Sequence, residues 1–242
     1  STDYVGHQFG ANSKEVQDTY IRLDKEIERL LNYFDNKIGK NNYTLFLTAD
    51  HGASDAPGFL KDNKIPINYF NSKKFKRHIE KALIKSFGSK YVIANNSNQQ
   101  IFLNHEYIEK LNLNLESVKN RVIEIIQSFP GIDNVYSSNQ ILNENDDHFI
   151  TLIRNGFNKN ISGDIVFTIM PNWVYYRKGS THGRRFNHHT HVPLIFFGNG
   201  IKKGSISRET DVIDIAPTIA SVLGINSPNA STGKVIFEAI DD

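Results

Sequence analysis

The stretch Tyr43–Gly52, which reads YTLFLTADHG, does most to decide the fold. Its first six residues form a short apolar run, which is typical of a buried strand. Polar residues follow at once, and they include Asp50 and His51. Because open α/β sheets bind their ligands at the carboxyl ends of strands, this position marks Asp50 and His51 as candidate functional residues.

The residues around this strand favour an α/β fold. Apolar residues recur at spacings of three and four between Ser13 and Ile38, which predicts an amphipathic helix that ends at Gly39. A second buried strand is expected at Val192–Phe197, VPLIFF, which is the longest apolar run. Since a membrane-spanning helix needs roughly 18 apolar residues, we expect no membrane span.

The composition excludes several classes of protein. The chain has 242 residues, of which 39% are hydrophobic and 22% charged, and these values are typical of globular proteins. It has no cysteine, so disulfides and thiolate metal sites are excluded. Its net charge of 28 − 26 = +2 is too small to suggest a nucleic-acid binder by itself.

A second, smaller unit is expected within the chain. Residues 65–138 show the order helix–strand–strand–helix–strand, which is most of a split βαβ unit. We therefore predict an inserted α+β subdomain at 65–138. Residues 1–64 and 139–242 would then form the main domain, with a further strand at Ile161–Met170.

Two acid and histidine pairs could bind a metal ion. Asp3 and His7 are four residues apart, so they share a face if they lie on a helix, whereas Gly6 also allows a tight loop. Asp50 and His51 supply the carboxylate and imidazole donors that zinc often uses. Such pairs also arise by chance, and Asp50 could instead be a helix cap beside a surface histidine.

A loop rich in histidine precedes the strand VPLIFF. It contains His182, His188, His189 and His191. His191 lies one residue before the strand, so we expect it to be the most rigidly held. The alternative is a solvated loop. With no cysteine, these oxygen and nitrogen donors suit one or two divalent metal ions.

Several motifs, in this order, resemble the alkaline phosphatase superfamily. They are Asp3–His7 (DYVGH), Thr48–Gly52 (TADHG), Thr190–Leu194 (THVPL) and Asp214–Thr218 (DIAPT), followed by Leu223-Gly224-Ile225. The chain is most similar to the C-terminal half of the phosphate-irrepressible, single-chain bacterial alkaline phosphatases of the PafA type. The resemblance implies an α/β fold with a mixed sheet sandwiched by helices, and an inserted α+β subdomain.

The resemblance also implies a site with two zinc ions. Asp3, His7 and His191 match the three ligands of one zinc. Asp50 and His51 match two ligands of the other, which the family completes with an Asp and the Thr nucleophile of its N-terminal half. We expect that half to be a missing fragment of the same protein, so the present chain alone should be inactive. His189 stands where the family usually has Asp.

The implied reaction is hydrolysis of small phosphate monoesters through a covalent phosphoenzyme, in the periplasm or outside the cell. A phosphodiesterase or nucleotide pyrophosphatase of the same superfamily is the main alternative. A basic stretch from Lys73 to Lys90 could instead indicate a binding module, but a solvated helix face explains it better, so we predict no nucleic-acid partner. A non-catalytic structural domain is the third alternative.

Overall fold

The computed structural model describes residues 1–143 and 148–241, and these residues form two compact units. The first unit contains Ser1–Ser54 and the chain from Thr181 onward, and the second contains Asp55–Ser180. The helices are α1 (Thr2–Phe9), α2 (Lys14–Lys37), α3 (Pro57–Asp62), α4 (Ser72–Phe87), α5 (His105–Lys110), α6 (Leu115–Gln127), α7 (Ser138–Asn143), α8 (His148–Asn155), α9 (Asn187–Thr190) and α10 (Ile215–Val222). The strands are β1 (Thr44–Thr48), β2 (Asn68–Tyr69), β3 (Ile93–Ser97), β4 (Gln100–Leu103), β5 (Ile132–Ser137), β6 (Ile165–Ile169), β7 (Trp173–Val174) and β8 (Leu194–Gly198).

The first unit is built on the two apolar stretches that the sequence marks as strands. β1 pairs antiparallel with β8, with Thr48 opposite Leu194. The carboxyl end of β1 therefore lies at the same edge as the start of β8. This edge carries Asp50 and His51 on one side and the histidine-rich loop on the other.

Two helices of the first unit follow from local signals. The predicted helix over Ser13–Ile38 is confirmed as α2: the Ser13 hydroxyl accepts from the Val16 N–H, and Gly39 follows with a φ of 98°. Ser1 caps the N-terminus of α1, because its side chain accepts from the Tyr4 N–H. Gly6 is therefore part of a helix and not of a tight loop.

The second unit contains the larger hydrophobic core. Its antiparallel sheet has the strand order β3-β4-β6-β5, and β2 pairs in parallel with β7. α4 and α6 bury apolar side chains in the core beside the strands, because those side chains recur at helical spacing. The buried members from the two helices are Phe75, Ile79, Leu83, Val118, Val122, Ile125 and Ile126.

The second unit is longer than the subdomain predicted from the sequence. It contains 65–138 but extends from Asp55 to Ser180. The physical reason is β6, the strand expected near Ile161–Met170, which pairs with both β4 and β5. Residues 55–64 and 139–180, which the sequence assigned to the main domain, therefore belong to the second unit, apart from 144–147, which lie outside the described residues.

Candidate metal centre

Three side chains of the first unit converge at one point. Within residues 1–143 and 148–241, the one group of three or more side chains placed to hold a metal ion is Asp3, His7 and His182. Nε2 of His7 lies 3.4 Å from Oδ1 of Asp3 and 3.2 Å from Nε2 of His182. The third side of the triangle, from His182 Nε2 to Asp3 Oδ1, measures 3.5 Å.

These separations fit a zinc ion. Nitrogen and oxygen ligands lie about 2.0–2.1 Å from zinc, so two ligands of a tetrahedral ion are about 3.3 Å apart. The three measured sides are 3.4, 3.2 and 3.5 Å. One carboxylate and two imidazoles would leave a fourth position open, as in catalytic zinc sites.

His51 lies beside this group, and its hydrogen bonding leaves Nε2 unprotonated, as a metal ligand requires. Its Nδ1 is 2.9 Å from the Gly52 carbonyl oxygen, which can only accept, so Nδ1 donates and Nε2 presents its lone pair. Nε2 lies 4.0 Å from Asp3 Oδ1 and 3.6 Å from Asp50 Oδ2. The His51 ring is stacked on the His182 ring, with centroids 3.5 Å apart.

His182 takes the position that the sequence assigned to His191. His191 is exposed and ends α9, where its N–H donates to the Asn187 carbonyl, and it is not in the Asp3–His7 group. Proximity to β8 thus favoured a residue that the structure leaves outside the Asp3–His7–His182 group, and the role of His191 as a metal ligand stays a prediction. His182 follows Thr181, which is hydrogen-bonded to Ser54 beyond His51, and the sequence shows no periodicity that would reveal that contact.

The surroundings of His182 favour its neutral form. Partial burial, followed by the electrostatic effect of nearby His51, lowers the pKa of His182 below its ordinary value. Neutral imidazole is the form that binds a metal ion. The site therefore disfavours the proton that would compete with the metal.

His189 is a buried histidine beside the cluster, with 3% of its surface exposed. Its Nδ1 accepts a hydrogen bond from the Arg184 N–H at 3.0 Å, and its carbonyl accepts from the Gly52 N–H at 2.8 Å. Burial, followed by the charge of His188, lowers the pKa of His189 to about 4. It is therefore neutral at pH 7, with Nδ1 as an acceptor.

Comparison with known proteins places the chain in a family. Residues 1–193 match the family of type I phosphodiesterases and nucleotide pyrophosphatases. The chain belongs to this family, which is part of the alkaline phosphatase superfamily, and the resemblance seen in its motifs is confirmed.

The relatives include bacterial proteins of more than twice the length. A protein named alkaline phosphatase PafA, from Elizabethkingia meningoseptica, is 37% identical over 243 residues, which are 99% of this chain and 44% of that protein. A protein named calcium-transporting ATPase, from Myroides odoratus, is 39% identical over 245 residues, covering 100% and 45%. The chain thus spans about half the length of the relatives it matches.

The fold is that of alkaline phosphatase PafA. The crystal structure of wild-type PafA matches all of this chain and 46% of its own, with 36% identity and a TM-score of 0.90. The predicted alkaline-phosphatase-like α/β fold is therefore confirmed. In the described part of the chain, no helix is long and apolar enough to cross a bilayer.

Proposed function

We propose that this chain carries most of one metal site, and part of a second, of a two-zinc phosphohydrolase that acts on phosphate monoesters. The observation that carries the proposal is the triangle of Asp3, His7 and His182, whose sides of 3.2 to 3.5 Å match a tetrahedral ion. Similarity to proteins named alkaline phosphatase supports the choice of substrate class.

Each of these side chains has a defined task in the proposed site. Asp3, His7 and His182 hold one zinc, and His51 with Asp50 supplies two ligands of the other. Asp50 is exposed over 88% of its side chain, so it is accessible to an ion. His51 keeps its proton on Nδ1 through the Gly52 carbonyl and offers Nε2. When bound, zinc would supply charge stabilisation at the phosphoryl oxygens and lower the pKa of a bound water to near 7.

The remaining parts of the site would come from outside these 242 residues. We propose that an Asp and a Thr nucleophile of the same protein complete the second zinc site. This proposal is compatible with the length of the relatives, because more than half of each relative lies outside the region that matches this chain. The substrates would be small phosphorylated molecules, and the location would be periplasmic or secreted.

Phosphodiester hydrolysis is the second candidate, because the matching family is described as phosphodiesterase and nucleotide pyrophosphatase. A monoesterase must accommodate one more charged oxygen on the phosphate than a diesterase does. Rates on phenyl phosphate and on methyl phenyl phosphate, measured with the chain joined to the remainder of its protein, separate the two. Faster turnover of the methyl ester would replace the monoesterase proposal.

Zinc analysis tests the proposed site directly. After dialysis the chain should retain zinc, and His182→Ala should weaken zinc binding at least about tenfold because one of three ligands is lost. His191→Ala is the matched control from the same loop, and it should retain the wild-type affinity. A larger loss from His191→Ala than from His182→Ala would restore the assignment made from the sequence, and a chain that binds no zinc would refute the site.

A further inference from the structure

The segment that carries His51 is hydrogen-bonded directly to the segment that carries His182. Three of the bonds involve Ser54 and Thr181. The Ser54 N–H and hydroxyl both donate to the Thr181 carbonyl, at 2.8 and 3.0 Å, and the Thr181 N–H donates back to the Ser54 hydroxyl at 3.1 Å. Thr181 immediately precedes His182, and Ser54 lies three residues after His51.

His189 makes a second connection between the same two segments. Its carbonyl accepts from the N–H of Gly52, the residue after His51, and its Nδ1 accepts from the N–H of Arg184, two residues after His182. The side chain is almost fully buried, so competition from water for these bonds is weak. One residue thus contacts the backbone beside both histidines.

We propose that Ser54 and His189 are positioning residues that fix His51 against His182, and with them the spacing between the two metal sites of the proposed function. The His51 and His182 rings are stacked, with centroids 3.5 Å apart and planes at 11°. These hydrogen bonds would maintain that stacked geometry. Neither Ser54 nor His189 belongs to the ligand group. The inference rests on the proposed function for its consequence, but the ring geometry can be measured without metal.

Two matched pairs of variants isolate the hydrogen bonds made by the side chains of Ser54 and His189. Ser54→Thr keeps the hydroxyl, whereas the valine of Ser54→Val has nearly the same shape as threonine but has no hydroxyl. His189→Asn keeps an acceptor close to the Nδ1 position, and His189→Leu has a similar volume without it. In the metal-free chain, the imidazole NMR shifts of His51 and His182 should move in the Val and Leu variants, and stay near wild type in the Thr and Asn variants.

Cobalt binding measures the consequence for the metal sites. Loss of a group that orients a metal ligand typically weakens metal binding by about 10- to 100-fold. We therefore expect a loss of this size in Co²⁺ affinity for Ser54→Val and His189→Leu, together with a change in the d–d absorption bands. Ser54→Thr and His189→Asn should restore the wild-type affinity and spectrum. Ser128→Ala is the control: the Ser128 hydroxyl also pairs with a histidine, His78, but in the second unit, so Co²⁺ binding should not change.

The outcomes separate this inference from the proposed function. A wild-type chain that binds no Co²⁺ would refute the metal site, while the ring shifts would still decide whether Ser54 and His189 position the two histidines. Equal ring shifts and equal Co²⁺ affinity within each pair would overturn the inference. A loss of Co²⁺ affinity in Ser128→Ala comparable to that in Ser54→Val would also overturn it, because general destabilisation would then explain both. If one variant fails to fold by circular dichroism, the other pair decides.

Discussion

Gly52 has no side chain at a point where the backbone leaves no room for one. A Cβ there would overlap the carbonyl oxygen of His188, and the Gly52 N–H is bonded to the next carbonyl, that of His189. Gly52→Ala should therefore lower the free energy of unfolding by about 1–3 kcal/mol, measured by urea denaturation, and weaken zinc binding because His51 is adjacent. Gly6→Ala is the control, since a Cβ at Gly6 meets nothing within 4 Å and alanine favours the helix. Equal stability of the two variants would contradict the close approach at Gly52.

The burial of His189 predicts a stability that depends on pH. Its pKa is about 4 in the folded chain against about 6.5 when unfolded, so the unfolded state binds more protons between these values. The stability that His189 contributes is therefore present above pH 6.5 and lost as the pH falls towards 4. Between pH 7 and 5, the metal-free wild type should lose up to about 2 kcal/mol more than His189→Asn in urea unfolding. Parallel curves for the two proteins would contradict a neutral, buried His189.

The candidate site illustrates which residues a sequence can reveal. Asp50 and His51 stand out because they follow an apolar strand directly, and Asp3 and His7 because their spacing fits one helix face; the structure brings all four near one another, and their role as ligands stays a prediction. His182 lies in a polar loop, and its position depends on contacts made across more than a hundred residues. No local pattern encodes such a contact.

At the scale of elements, local periodicity predicts the helices well and the strand partners poorly. α2, α4 and α6 are confirmed because their apolar residues recur at helical spacing and so define the face that is buried or partly buried. β6 is confirmed as a strand near its predicted place, but its position between β4 and β5 is a matter of hydrogen bonding between distant segments. The extent of the second unit follows from that pairing and could not be read from 65–138 alone.

The sheet order predicts which part of the second unit can fold by itself. Residues 55–180 contain all four strands of the sheet, so this segment should give a cooperative thermal transition when expressed alone. Residues 65–138 lack β6, which leaves β4 and β5 without a shared neighbour and exposes the core, so this shorter segment should not unfold cooperatively. Circular dichroism melts of the two segments make the comparison. A cooperative melt of 65–138 would show that the insertion is as small as the sequence suggests.

At the scale of the whole molecule, both strands of the small sheet in the first unit carry large apolar side chains that are exposed. Phe46 on β1 is 44% exposed, and Ile195 and Phe197 on β8 are 54% and 49% exposed. Neighbouring side chains of a strand point to opposite faces, so both faces of this two-stranded sheet carry exposed apolar residues. We propose that the part of the protein corresponding to the rest of its relatives' length covers them, as further strands and helices of the same fold.

This proposal leads to the prediction that the 242-residue chain has little phosphatase activity by itself, even with excess zinc. We assign two residues of this chain, Asp50 and His51, to the second ion, and two protein ligands should hold zinc weakly. The Ser54 hydroxyl lies near the site, but it already donates a hydrogen bond to the Thr181 carbonyl and is poorly placed to act as a nucleophile. Loss of a nucleophile typically removes several orders of magnitude in rate.

The assay uses an aryl phosphate and a chain whose intact mass excludes a co-purified fragment. Addition of the complementary part of the protein should restore turnover and should also bury Phe46, Ile195 and Phe197, which hydrogen exchange of β1 and β8 would report. Protection of these strands without turnover would mean that the parts assemble but that Asp3, His7 and His182 do not serve phosphate ester hydrolysis. Turnover of about 1 per second or more by the isolated chain would place the nucleophile within these 242 residues, and the assignment of the second site would then have to be rebuilt around a hydroxyl of this chain.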